Sequence, residues 1–222
     1  SMANVLYGHK NTHKINLENI MQHAVSVKMG VKRSLLVVDM PKGSYKNERV
    51  ALKNAKYLIK KTKCDAVKIE SNKKNFKIIK TLVKAKIPVM GHIGFTPQFK
   101  KQFRIEGLTK SETLKLLSEA KLIEKAGAFS IVLECLSPIA AKLITKELKI
   151  PTIGIGSSIN CDGQILVTDD MIGLSGFYPK FVKKYANLNT VIEKAVKKYT
   201  REVKFNKFPT KKNFLNGQKR RN

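Results

Sequence analysis

The chain has 222 residues and carries 44 Lys and Arg against 16 Asp and Glu, a formal net charge of +28 at pH 7. That length allows one substantial core but is short of the roughly 250 residues typical of a complete eight-unit (β/α) barrel. No run approaches the 18 or so apolar residues of a membrane span, three cysteines without a CxxC pair (Cys64, Cys135, Cys161) argue against a disulfide framework or a zinc site, and a charge that is mostly Lys, spread over almost every predicted helix, marks non-specific affinity rather than specific nucleic-acid binding.

The chain opens Ser1-Met2-Ala3-Asn4, with no basic region followed by an apolar stretch, so the expectation is a cytoplasmic protein that does not enter a membrane. Val5 to Thr12 reads as a short strand-like piece running into a polar turn. Leu17 to Met29 reads as a helix capped by Asn16, with Ile20, Ala24 and Val27 on one face. Ser34 then leads into an apolar run, Leu35 to Val38, that stops on Asp39. Such a run, bounded by Pro41 and Gly43, has the pattern of a strand buried on both faces, as in parallel sheets.

The same pattern recurs. A helix over about 47–62 buries Ala51, Ala55, Leu58 and Ile59 and turns its lysines to water; Ala66 to Ile69 then ends on Glu70. A helix over 73–84 around Phe76, Ile79 and Val83 leads to Ile87–Gly91, which ends on His92. A loop from Gly94 to Leu108 mixes aromatic and basic residues, suited to an anionic ring system or to a lid anchored by Phe99 and Phe103. Thr109 and Glu112 have capping-box spacing and open a helix burying Leu116, Ala120 and Ile123. Phe129 to Leu133 ends on Glu134, Ser137-Pro138 starts a further helix, and Ile150 to Ile155 ends on Gly156. Ser157 to Gln164 reads as a polar turn shaped by Asp162. A short helix with Asp169 and Asp170 and a last helix from about Val191 to Phe205, opened by Thr190 and Glu193, complete one domain over 1–206; residues 207–222 read as a basic, disordered tail.

The polar endings fall 22 to 42 residues apart, a spacing that suits strand-helix units of a (β/α) barrel or of an open doubly wound sheet. In a barrel, residues at strand C-termini converge on one mouth, which would bring Asp39, Lys68, Glu70, His92 and Glu134 together. Carboxylates beside a lysine and a histidine suit a hard, oxygen-seeking cation such as Mg²⁺ with an anionic substrate. Each residue also has a plainer reading. Asp39 could cap its strand, Lys68 could snorkel to the rim, Glu70 could be a solvated strand end or pair with Lys68, and His92 could donate a hydrogen bond or act directly. Glu134, a carboxylate after three apolar residues, is the most costly to place there without a purpose.

The segments VVDMPKGSY, VKIE, PVMGHIGFTPQ, GAFSIVLEC, IPTIGIGSS and CDGQILVTDD, in this order, resemble the ketopantoate hydroxymethyltransferase family from Ser1 to about Glu202. The resemblance implies a (β/α)₈ TIM barrel of the phosphoenolpyruvate-binding type and transfer of the methylene of 5,10-methylenetetrahydrofolate to 3-methyl-2-oxobutanoate through a Mg²⁺-stabilised enolate. It also implies a homo-oligomer, a decamer or similar. It assigns Asp39 and Glu70 to Mg²⁺, Lys68, Asp39 and Ser1 to the 2-oxo acid, and Glu134 to proton abstraction, with His92 a further candidate. Two departures stand out. Ser1 matches the serine of the family's Gly-Asp-Ser, so the first strand, its helix, most of the second strand and one aspartate ligand are not in this sequence; and Phe99 to Leu108 is shorter than the family's Gly-Gly-Tyr-bearing loop. The alternatives are a related 2-oxo acid lyase or mutase, a catalytically impaired remnant of the family, or a basic polyanion-binding scaffold.

Overall fold

In the computed structural model, which describes residues 2–71, 75–100, 102–176 and 178–214, the apolar runs become one parallel sheet. Its strands are β1 (Val37–Asp39), β2 (Ala66–Glu70), β3 (Val89–Gly94), β4 (Ser130–Glu134), β5 (Thr152–Ile155) and β6 (Gly163–Gln164), and they lie side by side in chain order. A doubly wound sheet reverses its strand order at a switch point. This sheet does not, so it is the singly wound wall of a barrel-type fold, six strands of it. The two-residue β6 corrects the expectation of a simple polar turn: Gly163 and Gln164 pair with Ile153 and Gly154.

Two helices precede the sheet and four return the chain between its strands. They are α1 (Met2–Val5), α2 (Leu17–Gly30), α3 (Glu48–Thr62), α4 (Phe76–Lys84), α5 (Lys110–Lys125) and α6 (Pro138–Glu147). The expected strand at Val5–Thr12 is not formed: the segment is the end of α1 and a turn, in which Gly8 takes φ +63° and the Asn4 side chain donates to the His9 carbonyl. Asn16 and Asn19 form a reciprocal capping box at the start of α2, satisfying two otherwise orphan amides. Val27, expected on the buried face of α2, is half exposed, and Ala24 is the buried residue there. Residues 73–74 of the third predicted helix lie outside the described residues, and the helix, α4, begins at Phe76.

Strand alternation separates two faces. Val67, Ile69, Ile131 and Leu133 point to the helix layer and join Ala51, Ala55, Leu58, Ile79, Leu82, Ile123, Ala140 and Ile144 in one core, each almost fully buried. Each large aliphatic side chain so buried contributes roughly 1.5–3 kcal/mol. The alternate residues Asp39, Lys68, Glu70, His92 and Glu134 share the other face.

The chain divides into two compact units, residues 1–166 and residues 167–222. The second contains α7 (Thr168–Met171), α8 (Leu188–Lys204) and a 3₁₀ turn at Lys211–Asn213. Asn187, not Thr190, caps α8, because its side chain accepts the Thr190 amide one turn earlier than expected. Within this unit Tyr185 and Leu188 donate to the carbonyls of Met171 and Ile172. Residues 215–222 of the predicted tail lie outside the described residues.

Gly94 joins fold to site. It ends β3 with φ +94°, and a Cβ there would lie 2.1 Å from the Glu134 carbonyl oxygen and 2.2 Å from Leu136 Cδ1. That carbonyl accepts the Phe95 amide at 2.8 Å, so the glycine lets β3 and the end of β4 close on each other. Gly94→Ala should therefore destabilise the chain by roughly 2–4 kcal/mol in urea unfolding; an unchanged midpoint would refute this account of the junction.

Candidate active site

Parallel register brings the predicted residues to the sheet's C-terminal edge. Asp39 is level with Lys68, Glu70 with His92, and Gly94 with Glu134. The contacts form a line. Lys68 Nζ lies 2.7 Å from Asp39 Oδ1 and 3.4 Å from His92 Nδ1, and His92 Nε2 lies 3.1 Å from Glu134 Oε2. Lys68 thus pairs with Asp39 rather than Glu70, and it does not snorkel free. Glu70 is not a solvated strand end: only 5% of it is exposed, and its Oε2 accepts the Gln98 amide at 2.9 Å. Ser1 lies outside the described residues.

The electrostatics follow from burial. Burial works against the charge on Lys68, but the charge and hydrogen bond of Asp39, together with the Glu70 and Glu134 carboxylates, outweigh it and hold the ammonium above the usual lysine range. Burial, reinforced by the Lys68 charge, pushes His92 below the ordinary imidazole range and makes it neutral at pH 7. With a charged Lys68 on its Nδ1 side, that nitrogen is the acceptor and the proton sits on Nε2. The Nε2 group faces Glu134 at a distance typical of an ion pair but without hydrogen-bond alignment, leaving a buried donor at the centre of the site.

Glu70 is pushed up to about 7, first by burial, with Asp39 and Glu134 adding to the shift and Lys68 and the Gln98 amide opposing it. Burial thus disfavours the charged form of Glu70, which a cation beside it would favour. Among the described residues no three His, Cys, Asp or Glu are grouped to enclose a metal ion. Mg²⁺ does not need such a cage, because it keeps several waters and takes one or two protein carboxylates together with substrate oxygens. Asp39 and Glu70 fit that requirement in number and in donor type.

The loop after β3 closes one side. Glu106 accepts two hydrogen bonds from Arg104, each 3.1 Å, and lies 2.8 Å from Lys100 Nζ. Its backbone receives from Ser137 and donates to Cys135, fastening the loop just beyond Glu134. Glu112, expected to complete the capping box with Thr109, instead accepts from the Leu108 amide and from Arg104. Asp162 does not shape its own turn alone: it accepts from the Thr152 amide and hydroxyl, tying the turn to β5.

A sequence model of the ketopantoate hydroxymethyltransferase family matches residues 1–211. The chain belongs to this family. It is 52% identical over 212 residues to the 3-methyl-2-oxobutanoate hydroxymethyltransferase of Pelagibacter ubique (strain HTCC1062), covering 96% of this chain and 82% of that relative. It is 46% identical over 217 residues to the protein of the same name from Clostridioides difficile (strain 630), covering 96% and 79%. Among solved structures it resembles 2,3-dimethylmalate lyase, a PEP mutase/isocitrate lyase superfamily member, with a TM-score of 0.56 at 14% identity over 96% of this chain and 76% of that one. That likeness is one of fold. Two buried residues at this family member's site, Gln98 and Tyr45, were not singled out by the sequence reading; the signal was present in Thr96-Pro97-Gln98, which follows the His92 strand directly.

The Glu106 cluster has a definite pH signature. Burial would raise the pKa of Glu106, but its hydrogen bonds and charge pairing with Arg104 and Lys100 prevail and lower it. A lowered carboxylate stabilises the fold fully above its unfolded pKa of about 4.3 and loses that contribution as pH falls through the folded value. Glu106→Gln should cost about 1–2 kcal/mol at pH 7, and the difference from wild type should shrink as pH falls below about 4. Urea unfolding at a series of pH values checks this; a pH-independent difference would rule it out.

Proposed function

We propose that this chain transfers a hydroxymethyl group from 5,10-methylenetetrahydrofolate to 3-methyl-2-oxobutanoate, giving 2-dehydropantoate in pantothenate biosynthesis. Family membership along nearly the whole chain supports the reaction. The observation that carries the site assignment is the line Asp39–Lys68–His92–Glu134 on one face of the sheet, with Glu70 beside it.

Glu134 is the base. Its carboxylate removes the C3 proton of the 2-oxo acid, and the resulting carbon nucleophile forms a bond to the methylene carbon; both bonds of that carbon to folate nitrogens break, water supplies the hydroxyl oxygen, and the two nitrogens take up the C3 proton and one proton of the water. His92, neutral and protonated on Nε2, offers its buried N–H to Glu134 or to a substrate oxygen. Lys68 holds the substrate's anionic end, and Asp39 keeps Lys68 charged and in place. Asp39 and Glu70 would hold Mg²⁺, which when bound supplies a Lewis acid for the charge that develops on the ketone oxygen. Ser1 takes its substrate-binding role from the family match alone.

The six-strand wall fits the (β/α)₈ barrel that the family implies, with the first unit and most of the second strand outside this sequence. We read residues 1–206 as belonging to that barrel domain, the assembly as a homo-oligomer, and the compartment as the cytoplasm, without a specific nucleic-acid partner. No helix among the described residues is long and apolar enough to cross a membrane.

The half-reaction tests metal, substrate and base without folate. Incubated with 3-methyl-2-oxobutanoate and Mg²⁺ in D₂O, the chain should exchange the C3 proton, followed by NMR, and the exchange should be abolished by EDTA and lowered at least about 100-fold by Glu134→Gln. Undiminished exchange in the variant would remove Glu134 from the role of base. No exchange by folded wild-type chain would overturn the proposed activity.

A further inference from the structure

Gln98 and Tyr45 belong to none of the catalytic roles above, yet they are only 8% and 4% exposed and lie behind the two carboxylates. Gln98 uses three groups in three directions. Its backbone amide donates to Glu70 Oε2 at 2.9 Å, its side-chain Nε2 donates to the Met40 carbonyl at 3.0 Å, and its Oε1 accepts the Tyr45 hydroxyl at 2.6 Å. The amide orientation is fixed by these partners: reversing it would set its oxygen against the Met40 carbonyl oxygen.

The connectivity matters more than any one bond. Met40 directly follows Asp39, and its own amide donates to the Lys68 carbonyl at 3.0 Å. Gln98 therefore clasps the end of β1 through its side chain and the Glu70 carboxylate at the end of β2 through its backbone. Tyr45, from the segment between β1 and α3, holds that side chain in place and packs edge-on to Phe99, with ring centroids 6.4 Å apart. Burial, with Glu70 and Asp39 close by, keeps the Tyr45 hydroxyl protonated and so a donor at any ordinary pH.

We infer that Gln98, braced by Tyr45, is a positioning residue that fixes the spacing between Asp39 and Glu70 and thereby sets the divalent-cation affinity of the site. The inference rests on the reading of those two carboxylates as cation ligands. A residue that merely filled space would change stability when altered; a positioning residue should change cation affinity even where stability is retained.

Mn²⁺ binding to the full chain, measured by electron paramagnetic resonance of the free ion, separates the two. Tyr45→Phe, which removes one oxygen atom, should weaken Mn²⁺ binding about threefold, and Gln98→Met, which keeps the length but not the hydrogen bonds, about tenfold or more. Because Tyr45 acts through Gln98, the double variant should bind like Gln98→Met alone rather than show the product of the two effects. C3 exchange should recover towards the wild-type rate when Mn²⁺ is raised to saturation, since Glu134 is untouched. Wild-type affinity in both single variants would overturn the positioning role, with the cation reading intact if wild type binds Mn²⁺ and Asp39→Asn does not. No Mn²⁺ binding by wild type would overturn the cation reading and this inference with it. Should Gln98→Met fail to fold, Tyr45→Phe decides the outcome.

Discussion

The site depends on one buried cation. Lys68 projects from the middle of the sheet with its side chain about four-fifths buried, where an uncompensated charge would cost several kcal/mol. Asp39 provides the compensation at 2.7 Å, and the dependence is mutual. Asp39, Glu70 and Glu134 are three carboxylates on adjacent or next-but-one strands, and each raises the cost of ionising Glu70 or is felt by Lys68. Without the ammonium Glu70 would lose the charge that opposes its burial and would take up a proton more readily. The period-2 alternation of a strand is what allows this: the residues between the charged ones, Val67, Ile69, Ile131 and Leu133, anchor the same strands in the helix layer.

Positioning falls to the loops. Gln98 and Glu106, both on the connection between β3 and α5, lie eight residues apart in sequence but act at different strand ends, the first at β1 and β2, the second just beyond β4. Lys100, between them, also donates to the Gly94 carbonyl. One loop thus references its position to the four strands that carry the site residues. A connection with so many fixed points is a structural part of the site rather than a free cover, even though Phe103 and Leu108 on it remain exposed.

What was legible in the sequence divides along the same line. Apolar runs ending on Asp39, Glu70, His92 and Glu134 located β1 to β4 and the polar residues at their ends, because burial on one face and charge at the C-terminal end leave a clear local pattern. The direction of the winding was not legible, since a barrel and a doubly wound sheet share the same strand-helix alternation; strand order decided it. Helices were recognised, but their faces rotated slightly: α4 buries Ile78, Ile79 and Leu82 rather than centring on Phe76 and Val83. Short-range competition escaped the pattern as well, as where Asn187 caps α8 ahead of Thr190. Gln98 was hidden for another reason. Its partners, Tyr45 and Met40, are 53 and 58 residues away, and no local spacing reports a contact of that range.

The place of His92 explains why the lysine and the proposed base coexist. Were Lys68 to pair directly with Glu134, the ammonium would stabilise the ionised carboxylate and weaken it as a proton acceptor. Instead Asp39 takes the ammonium on one side, and a neutral imidazole stands between Lys68 and Glu134 on the other. Burial is what keeps that imidazole neutral; a charged ring would act on Glu134 as the lysine would. The sheet delivers this arrangement through register alone, since β3, which carries His92, lies between β2 and β4, which carry Lys68 and Glu134. A strand order that paired β2 directly with β4 would set Lys68 beside Glu134 with no imidazole between them.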